Sequence, residues 1–432
     1  MNIETLHQLF LESKGVATDT RAIKTNQLFF ALRGDNFNGN LFAEKALSKG
    51  AGFAIIDEEL NKPNDRYILV ENVLETLQKL STFHREFLNI PILAITGSNG
   101  KTTSKELIHA VLKKKFETVA TVGNLNNHIG VPLSLLSMNS KTEFGIVEMG
   151  ANHLKEIEKL CEIARPNFGY ITNFGKAHLE GFGSIEGVIL GKSELYKYLK
   201  SNNGKLFLNI DDPIQQKQTT YNNIFTFGES VDSDVVINYD STNTLAEVQY
   251  KQIKIKSQLT GAYNAINIAA SICVGLYFKI SLESIQKAII GYLPKNNRSQ
   301  IVKLGSNTLL MDAYNANPTS MKAALESFKA NPAENKIVIL GDMFELGISS
   351  EEEHQNIVNY LESINVLHAY LVGDNFYKTT SSSHKITNLK SFSDLQFSLE
   401  TTEFNNSYIL IKGSRGMALE RVLDVLKSAV KK

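Results

Sequence analysis

Ile92-Leu93-Ala94-Ile95-Thr96-Gly97-Ser98-Asn99-Gly100-Lys101-Thr102-Thr103-Ser104-Lys105 reads as a strand, a turn and a helix start in one stretch. Ile92 to Thr96 are mostly apolar and partly β-branched, the composition of a buried strand. Gly97 and Gly100 bound a turn, and Leu107, Ile108, Val111 and Leu112 then recur on one side of a helix. A glycine loop between a strand and a helix N-terminus cradles phosphate, because backbone N–H groups and the helix dipole both face the anion. Lys101 adds a full positive charge, and the Thr102 hydroxyl is placed for Mg²⁺. The cradle is thus Gly97, Ser98, Asn99, Gly100, Lys101, Thr102 and Thr103. The widespread form of this loop carries a glycine five residues before the Gly-Lys pair, where this chain has Ile95. The loop is therefore the shorter Gly-x-x-Gly-Lys-Thr form. A plain helix-capping turn would account for the glycines, but not for the strand before them and the Lys-Thr after them.

Composition bounds the rest. The 432 residues are 43% hydrophobic, enough for about three domains at roughly 150 residues each. Forty-five basic and 45 acidic residues leave no net charge, which argues against a nucleic-acid partner. No apolar run approaches the ~20 residues of a membrane span and no charged-then-apolar leader opens the chain, so a cytoplasmic protein is expected. Cys161 and Cys273 lie in helical patterns without nearby Cys or His, and read as buried thiols.

Three α/β units follow in order. In the first, residues 1–88, strands are expected at Leu28–Leu32 and Phe53–Ile56, with helices at Phe42–Ser48 and Val73–Phe87. Two polar loops, Ala17-Thr18-Asp19-Thr20-Arg21 and Arg33 to Gly39, sit at strand ends, where α/β sheets hold ligands; ordinary turn chemistry accounts for them equally well. The second unit, residues 89–295, continues from the phosphate loop. Its strand Phe144–Glu148 ends in a carboxylate that a parallel sheet would bring to the same edge as Lys101. There Glu148 can hold Mg²⁺ or orient water. His178 follows another strand end in a glycine-rich loop, and is open to a structural or a ligand role. Lys192, on a helix expected over Ile185–Leu199, reads by itself as a solvated lysine. Strand Leu206–Asn209, alternating patches near 225 and 246–258 that suggest a small antiparallel sheet, and an apolar helix opened by Gly261 to Asn267 complete the unit.

The third unit, residues 296–432, is expected to hold strands at Thr308–Asp312, Lys336–Leu340, Ala369–Val372 and Tyr408–Lys412. Helices are expected at Ser320–Phe328, Glu351–Leu361 and Met417–Ser428. Polar clusters follow three strand ends: Asp312-Ala-Tyr-Asn-Ala-Asn-Pro318, Gly341-Asp-Met-Phe-Glu-Leu-Gly347 and Lys412-Gly-Ser-Arg-Gly416. Helix caps explain each alone; together they mark one sheet edge as a face toward the phosphate loop.

These stretches, with Gly123-Asn-Leu-Asn-Asn127, Val147-Glu-Met-Gly-Ala-Asn152 and Ala177-His-Leu-Glu-Gly-Phe-Gly-Ser184, resemble the Mur ligases of peptidoglycan synthesis in family order. The phosphate loop, Glu148 and His178 mark the superfamily, which includes folylpolyglutamate synthases. The Tyr-Asn-Ala-Asn-Pro and Gly-Asp-Met-Phe-Glu-Leu-Gly stretches resemble the members that attach D-alanyl-D-alanine. The Asp-Asn-Pro-Arg motif of the diamino-acid-adding members is missing from the sequence.

The resemblance implies an N-terminal UDP-binding α/β domain, a central P-loop ATPase-like domain with a parallel sheet and a small antiparallel sheet, and a C-terminal Rossmann-like domain. It implies an ATP-dependent ligase that joins D-alanyl-D-alanine to UDP-N-acetylmuramoyl-tripeptide through an acyl phosphate, acting as a monomer on small molecules. Thr102 and Glu148 would hold one Mg²⁺, with His178 at a second. Lys192 matches the lysine that the family carries as a CO₂-derived carbamate, which would ligate that second ion. Asn267 resembles an adenine contact, and Arg298 and Asp312 match contacts to phosphate and ribose. Asn124, Asn126 and Asn127 would face the muramoyl-peptide. Thr18, Asp19, Thr20, Arg21 and Asn36 more weakly resemble the grip on the UDP end. Asp342, Glu345, Lys412 and Arg415 are candidates for placing the dipeptide. A diamino-acid-adding or folylpolyglutamate-type ligase is the alternative within the class, and a nucleotide switch the alternative outside it.

Overall fold

The structure is a computed structural model that describes residues 1–60, 64–240 and 245–430. Among the described residues three large sheets stand in chain order, with strands within 16–69, 92–260 and 300–412, beside one two-stranded hairpin sheet at 33–38. Among the described residues no helix is long and apolar enough to cross a membrane. The last two residues of the third expected unit, 431–432, lie outside those described.

The first sheet is four parallel strands in chain order: Val16–Ala17, Leu28–Phe30, Phe53–Ile56 and Tyr67–Leu69. The strand expected to run to Leu32 stops at Phe30, because Leu32 turns back and its carbonyl accepts the Gly39 N–H at 2.9 Å. Between them the hairpin Arg33–Gly34/Phe37–Asn38 carries Asn36 at its exposed tip. Helix Ile3–Glu12, which the periodicity did not single out, is capped by Asn2 and buries Leu6, His7 and Phe10. Helix Val73–Leu88 starts at an Asn72 cap and ends at Asn89 in a left-handed conformation, just before Pro91.

The middle sheet has nine strands, in the order 253–260, 245–250, 235–240, 224–228, 205–209, 168–171, 92–96, 144–148, 118–120. From 235–240 to 118–120 neighbouring strands are parallel, and only the last two ladders on the other side are antiparallel. The expected separate antiparallel sheet is therefore an extension of the main one. Its inward residues Val235, Ile237, Ala246, Val248, Ile255 and Leu259 share a core with helices Lys101–Leu112 and Tyr263–Tyr277. Burying that alternating face under the same helices holds the ribbon on the sheet edge. The opposite face packs against helices Glu156–Ala164 and Ile185–Ser201. Cys161 and Cys273 are free and buried, one on each side, and burial pushes both thiols well up.

The third sheet runs 300–304, 307–312, 407–412, 335–341, 368–372, 386–389, parallel except for its first strand. Strands Gln300–Leu304 and Ile386–Leu389 were not expected; both are short, half-wet edges that mix apolar and polar residues, and so carry a weak strand signal. The helix expected from Met417 starts at Val422 instead. Two 3₁₀ turns precede it, hinged on Ala418 at φ 49°, because Leu419 is buried against Gly341 and Gly413.

Candidate active site

The carboxyl edges of the middle and third sheets face each other across a cavity of about 1080 Å³. The phosphate loop forms one wall. Gly97 (φ +135°) and Gly100 (φ +79°) are required there: a Cβ at 97 would lie 2.0 Å from Thr172 Oγ1, and one at 100 would lie 2.7 Å from Asn267 Oδ1. Asn173 braces the loop. Its carbonyl accepts the Ser98 N–H (3.0 Å), and its side-chain oxygen accepts the Asn99 N–H (3.0 Å). Of the seven cradle residues, Ser98 and Asn99 thus have their amides already engaged. Among the described residues, the amides of Gly100, Lys101, Thr102 and Thr103 find no acceptor and remain for an anion. The Lys101 ammonium donates to the carbonyls of Gly97 (2.6 Å) and Ser98 (3.2 Å). Burial lowers it to about 8, Arg298 adds to that, and Glu148 opposes it.

Glu148 is buried at its strand end, in register with Ile95 just before the loop. It accepts from Thr102 Oγ1 (3.0 Å) and Asn126 Nδ2 (2.9 Å), and Lys105 Nζ stands 3.7 Å away. Lys105, quoted with the phosphate loop but given no role there, is a buried cation that also donates to Thr121 O at 2.7 Å. No group of three or more His, Cys, Asp or Glu converges among the described residues. The Thr102–Glu148 pair of hard oxygens suits Mg²⁺, which takes one or two carboxylates and completes its shell with phosphate and water.

His178 lies further along the same edge, with φ +55°. Its Nδ1 meets the carboxylate of Glu345 from the third domain. Lys192 is fully buried, donates to Ala151 O at 2.9 Å, and lies 5.1 Å from the Phe182 ring centroid. It is no solvated lysine. Burial, and secondarily Lys101, push its ammonium well below the usual lysine range. As an ammonium it repels a cation; as the neutral amine it can take up CO₂.

The remaining candidates divide. Asn124, Asn126 and Asn127 all line the cavity. Asn126 is committed to Glu148, and Asn127 Oδ1 caps a helix through Ile129 N and Gly130 N at 3.1 and 2.9 Å. Asn267 Oδ1 accepts from Ser104 (2.8 Å), and Asn264 accepts from Asn267 (2.8 Å). From the third domain, Arg298 stacks on Tyr314 with its guanidinium carbon 3.6 Å from the ring centroid. Asp312 accepts from Lys412 (2.6 Å) and from Ser299 N (3.0 Å). Of the four candidates for placing a dipeptide, Lys412 is therefore held by Asp312 and Glu345 by His178. Asp342 is buried, capping the amides of Asn375 and Phe376 at 2.9 Å each. Arg415 is exposed and pairs with Glu420 at 3.0 Å.

Thr18, Asp19, Thr20, Arg21 and Asn36 do not line this cavity. Asp19 is held at about 2 by its hydrogen bonds with neighbouring Arg21, and Thr20 gives its carbonyl to Lys49 (2.9 Å). Asn317, quoted within the Asp312–Pro318 cluster without a role of its own, and Thr319, which the sequence did not single out, reach across the cleft. Asn317 Nδ2 donates to Asn99 Oδ1 (2.8 Å), and Lys176 N donates to Thr319 Oγ1 (3.0 Å). Asn317 looked like a helix cap, which it also is.

Family models match nearly the whole chain. They are the Mur ligase family catalytic domain at residues 12–85, the Mur ligase middle domain at 95–275 and the Mur ligase glutamate ligase domain at 297–415. The UDP-N-acetylmuramoyl-tripeptide–D-alanyl-D-alanine ligase of Bacillus subtilis (strain 168) is 32% identical over 96% of this chain and 93% of its own length. A crystal structure of MurF from Acinetobacter baumannii superposes with a TM-score of 0.87, at 26% identity and 98% coverage of both chains. MurF ligase from Thermotoga maritima, in complex with ADP, gives 0.85 at 27% identity, covering 98% of this chain and 99% of that one. With its three domains matched in order and the phosphate loop, Glu148 and His178 gathered on one sheet edge, the chain belongs to the Mur ligase family.

Proposed function

We propose that this enzyme joins D-alanyl-D-alanine to UDP-N-acetylmuramoyl-tripeptide at the expense of ATP. The observation that carries the reading is the shared cavity. A phosphate loop with unclaimed amides faces Arg298, Asp312 and Arg415 of another domain across it, as a two-substrate ligation requires. The division into a UDP-substrate domain (1–88), an ATP domain (89–295) and a ligase domain (296–432) is part of the same reading, as are a monomeric state and a cytoplasmic setting.

The tripeptide carboxylate attacks the γ-phosphorus, the bond to the β-phosphate oxygen breaks, and ADP leaves. The dipeptide amine then attacks the acyl carbon, loses a proton, and expels phosphate. Both partners in the first step are anionic, so the protein's part is placement and charge. Lys101 exchanges its loop carbonyls for phosphate oxygens, and the amides of Gly100 to Thr103 hold the same group. Thr102 and Glu148 would hold one Mg²⁺, and His178 with a carbamate on Lys192 a second. Bound there, the ions neutralise charge on the phosphate oxygens. Carbamate formation needs the neutral amine that burial favours: nitrogen bonds to the CO₂ carbon and a proton departs. Asn267 faces adenine, Arg298 and Asp312 the phosphates and ribose, and Asn124, Asn126 and Asn127 the muramoyl-peptide. Thr18, Asp19, Thr20, Arg21 and Asn36 serve the distant UDP end. Arg415, the least committed cation of the third-domain loops, suits the dipeptide carboxylate.

The test is ADP release from ATP and Mg²⁺. Release should require both UDP-muramoyl-tripeptide and D-alanyl-D-alanine and yield the pentapeptide. Turnover with a UDP-dipeptide and a free diamino acid would show the reading to be wrong.

A further inference from the structure

Glu345 is on the third domain and His178 on the middle one, and two hydrogen bonds join their loops across the boundary. The Glu345 carboxylate meets His178 Nδ1, and the Glu345 carbonyl accepts the Glu180 N–H at 3.1 Å. Both residues have left-handed backbones, at φ +55° for His178 and +62° for Glu345. Side chains normally avoid this conformation, so the surroundings must impose it. On the His178 side its carbonyl takes the amides of Gly181 (3.1 Å) and Phe182 (3.0 Å). On the Glu345 side the preceding loop is fixed residue by residue. Asp342 caps Asn375 and Phe376, Met343 N donates to His354 Nε2 at 3.0 Å, and Phe344 N donates to Ser414 Oγ at 2.8 Å. The carboxylate is thus presented stiffly to the imidazole.

An ionised carboxylate can only accept, so the proton of a neutral His178 sits on Nδ1 and the Nε2 lone pair is left free. Among the described residues no other hydrogen bond reaches this ring, which lines the cavity. We propose that Glu345 is a positioning residue: it fixes the tautomer and direction of His178, so that the second cation site is complete only while the third domain is docked. A carboxylate behind a metal-binding histidine orients the ring and raises its basicity. Here that carboxylate comes from another domain, so cation binding and docking must favour each other equally. The inference rests on the reading of His178 as a cation ligand.

The experiment titrates Mn²⁺ against the full-length protein with a non-hydrolysable ATP analogue and UDP-muramoyl-tripeptide, reading free Mn²⁺ by electron paramagnetic resonance. Wild type should bind two ions. Glu345→Ala should weaken one of them by about 10- to 100-fold, and leave the ion at Thr102 and Glu148 in place. Glu345→Gln, whose amide oxygen accepts the same N–H, should stay within a few-fold of wild type. If His178→Ala loses an ion that Glu345→Ala keeps, Glu345 has no positioning role. If His178→Ala keeps both ions, the reading of His178 fails and takes the proposal with it. Glu345→Gln falling as far as Glu345→Ala would also overturn it, since the hydrogen bond is then not what matters.

Discussion

The middle domain meets its two neighbours in opposite ways. Toward the first domain the boundary is a dry core. Leu136 belongs to the same buried cluster as Leu6, Phe10, Leu77 and Leu80, and helix Val73–Leu88 feeds Leu88 into the core of the middle domain. A pair of histidines is sealed in as well: His7 Nε2 and His84 Nδ1 are 3.0 Å apart, and His84 Nε2 reaches Met138 O at 3.0 Å, while the Arg165–Glu86 ion pair stays at the exposed rim. Toward the third domain the boundary is a wet cleft. It is bridged by Asn317–Asn99, Lys176–Thr319, Lys176–Glu353 and His178–Glu345, with Leu179 as a half-buried apolar contact to both sides. A dry boundary is costly to separate, because its apolar surface would be returned to water. Polar contacts at a wet one can be exchanged for water at little cost. The lesson is a division of labour: the first boundary holds the molecule together, and the second can part and re-form at little cost.

The sharpest way to break that contrast is Arg298→Ala, which removes a cation from the far wall of the cleft. Kcat/KM for ATP should fall about 10²- to 10³-fold with unfolding by urea unchanged. A protein destabilised by more than ~1 kcal/mol would mean that the wet boundary is structural after all. The dry boundary should answer in the reverse sense. Leu80→Ala, at a fully buried position, should cost about 2–4 kcal/mol of unfolding free energy and leave the turnover of the folded fraction near normal. Equal losses of both would erase the distinction.

A smaller effect concerns pH. Burial pushes His7 and His84 below the ordinary histidine range, and His84 adds to the shift of His7. Both are neutral in the fold, while the unfolded chain takes up protons as pH falls through about 6.5. The unfolded state then binds more protons, so stability drops with falling pH below about 6.5, down to the pH at which the folded histidines themselves titrate. Denaturation curves at pH 7 and pH 5 should show a larger loss in wild type than in His84→Gln. Equal losses would place the acid sensitivity elsewhere.

Much of this molecule was legible in one dimension. Period and composition marked Ile92–Thr96, Phe144–Glu148 and the helix over Lys101–Leu112, because these elements are buried on one or both faces and must be written apolar. Parallel connections then put Lys101 and Glu148 on one edge, and motif order carried the family. Short wet edges such as Ile386–Leu389 stayed illegible, since nothing obliges them to be apolar. So did the break at Ala418, which exists only because Leu419 packs against Gly341 and Gly413.

What only the tertiary structure decided is partnership. Lys192 read as solvated and is buried. Lys412 and Glu345 read as candidates to hold substrate; Lys412 pairs with Asp312, and Glu345 pairs with a histidine 167 residues away. The first domain's loops at Thr18–Arg21 and Asn36 looked like the other polar loops, yet they stand outside the cavity. The physical reason is range. Backbone periodicity and capping act within a few residues and so appear in local sequence. A charge finds its partner only after sheets have stacked and domains have docked, and many sequences of polar residues would satisfy the same local rules.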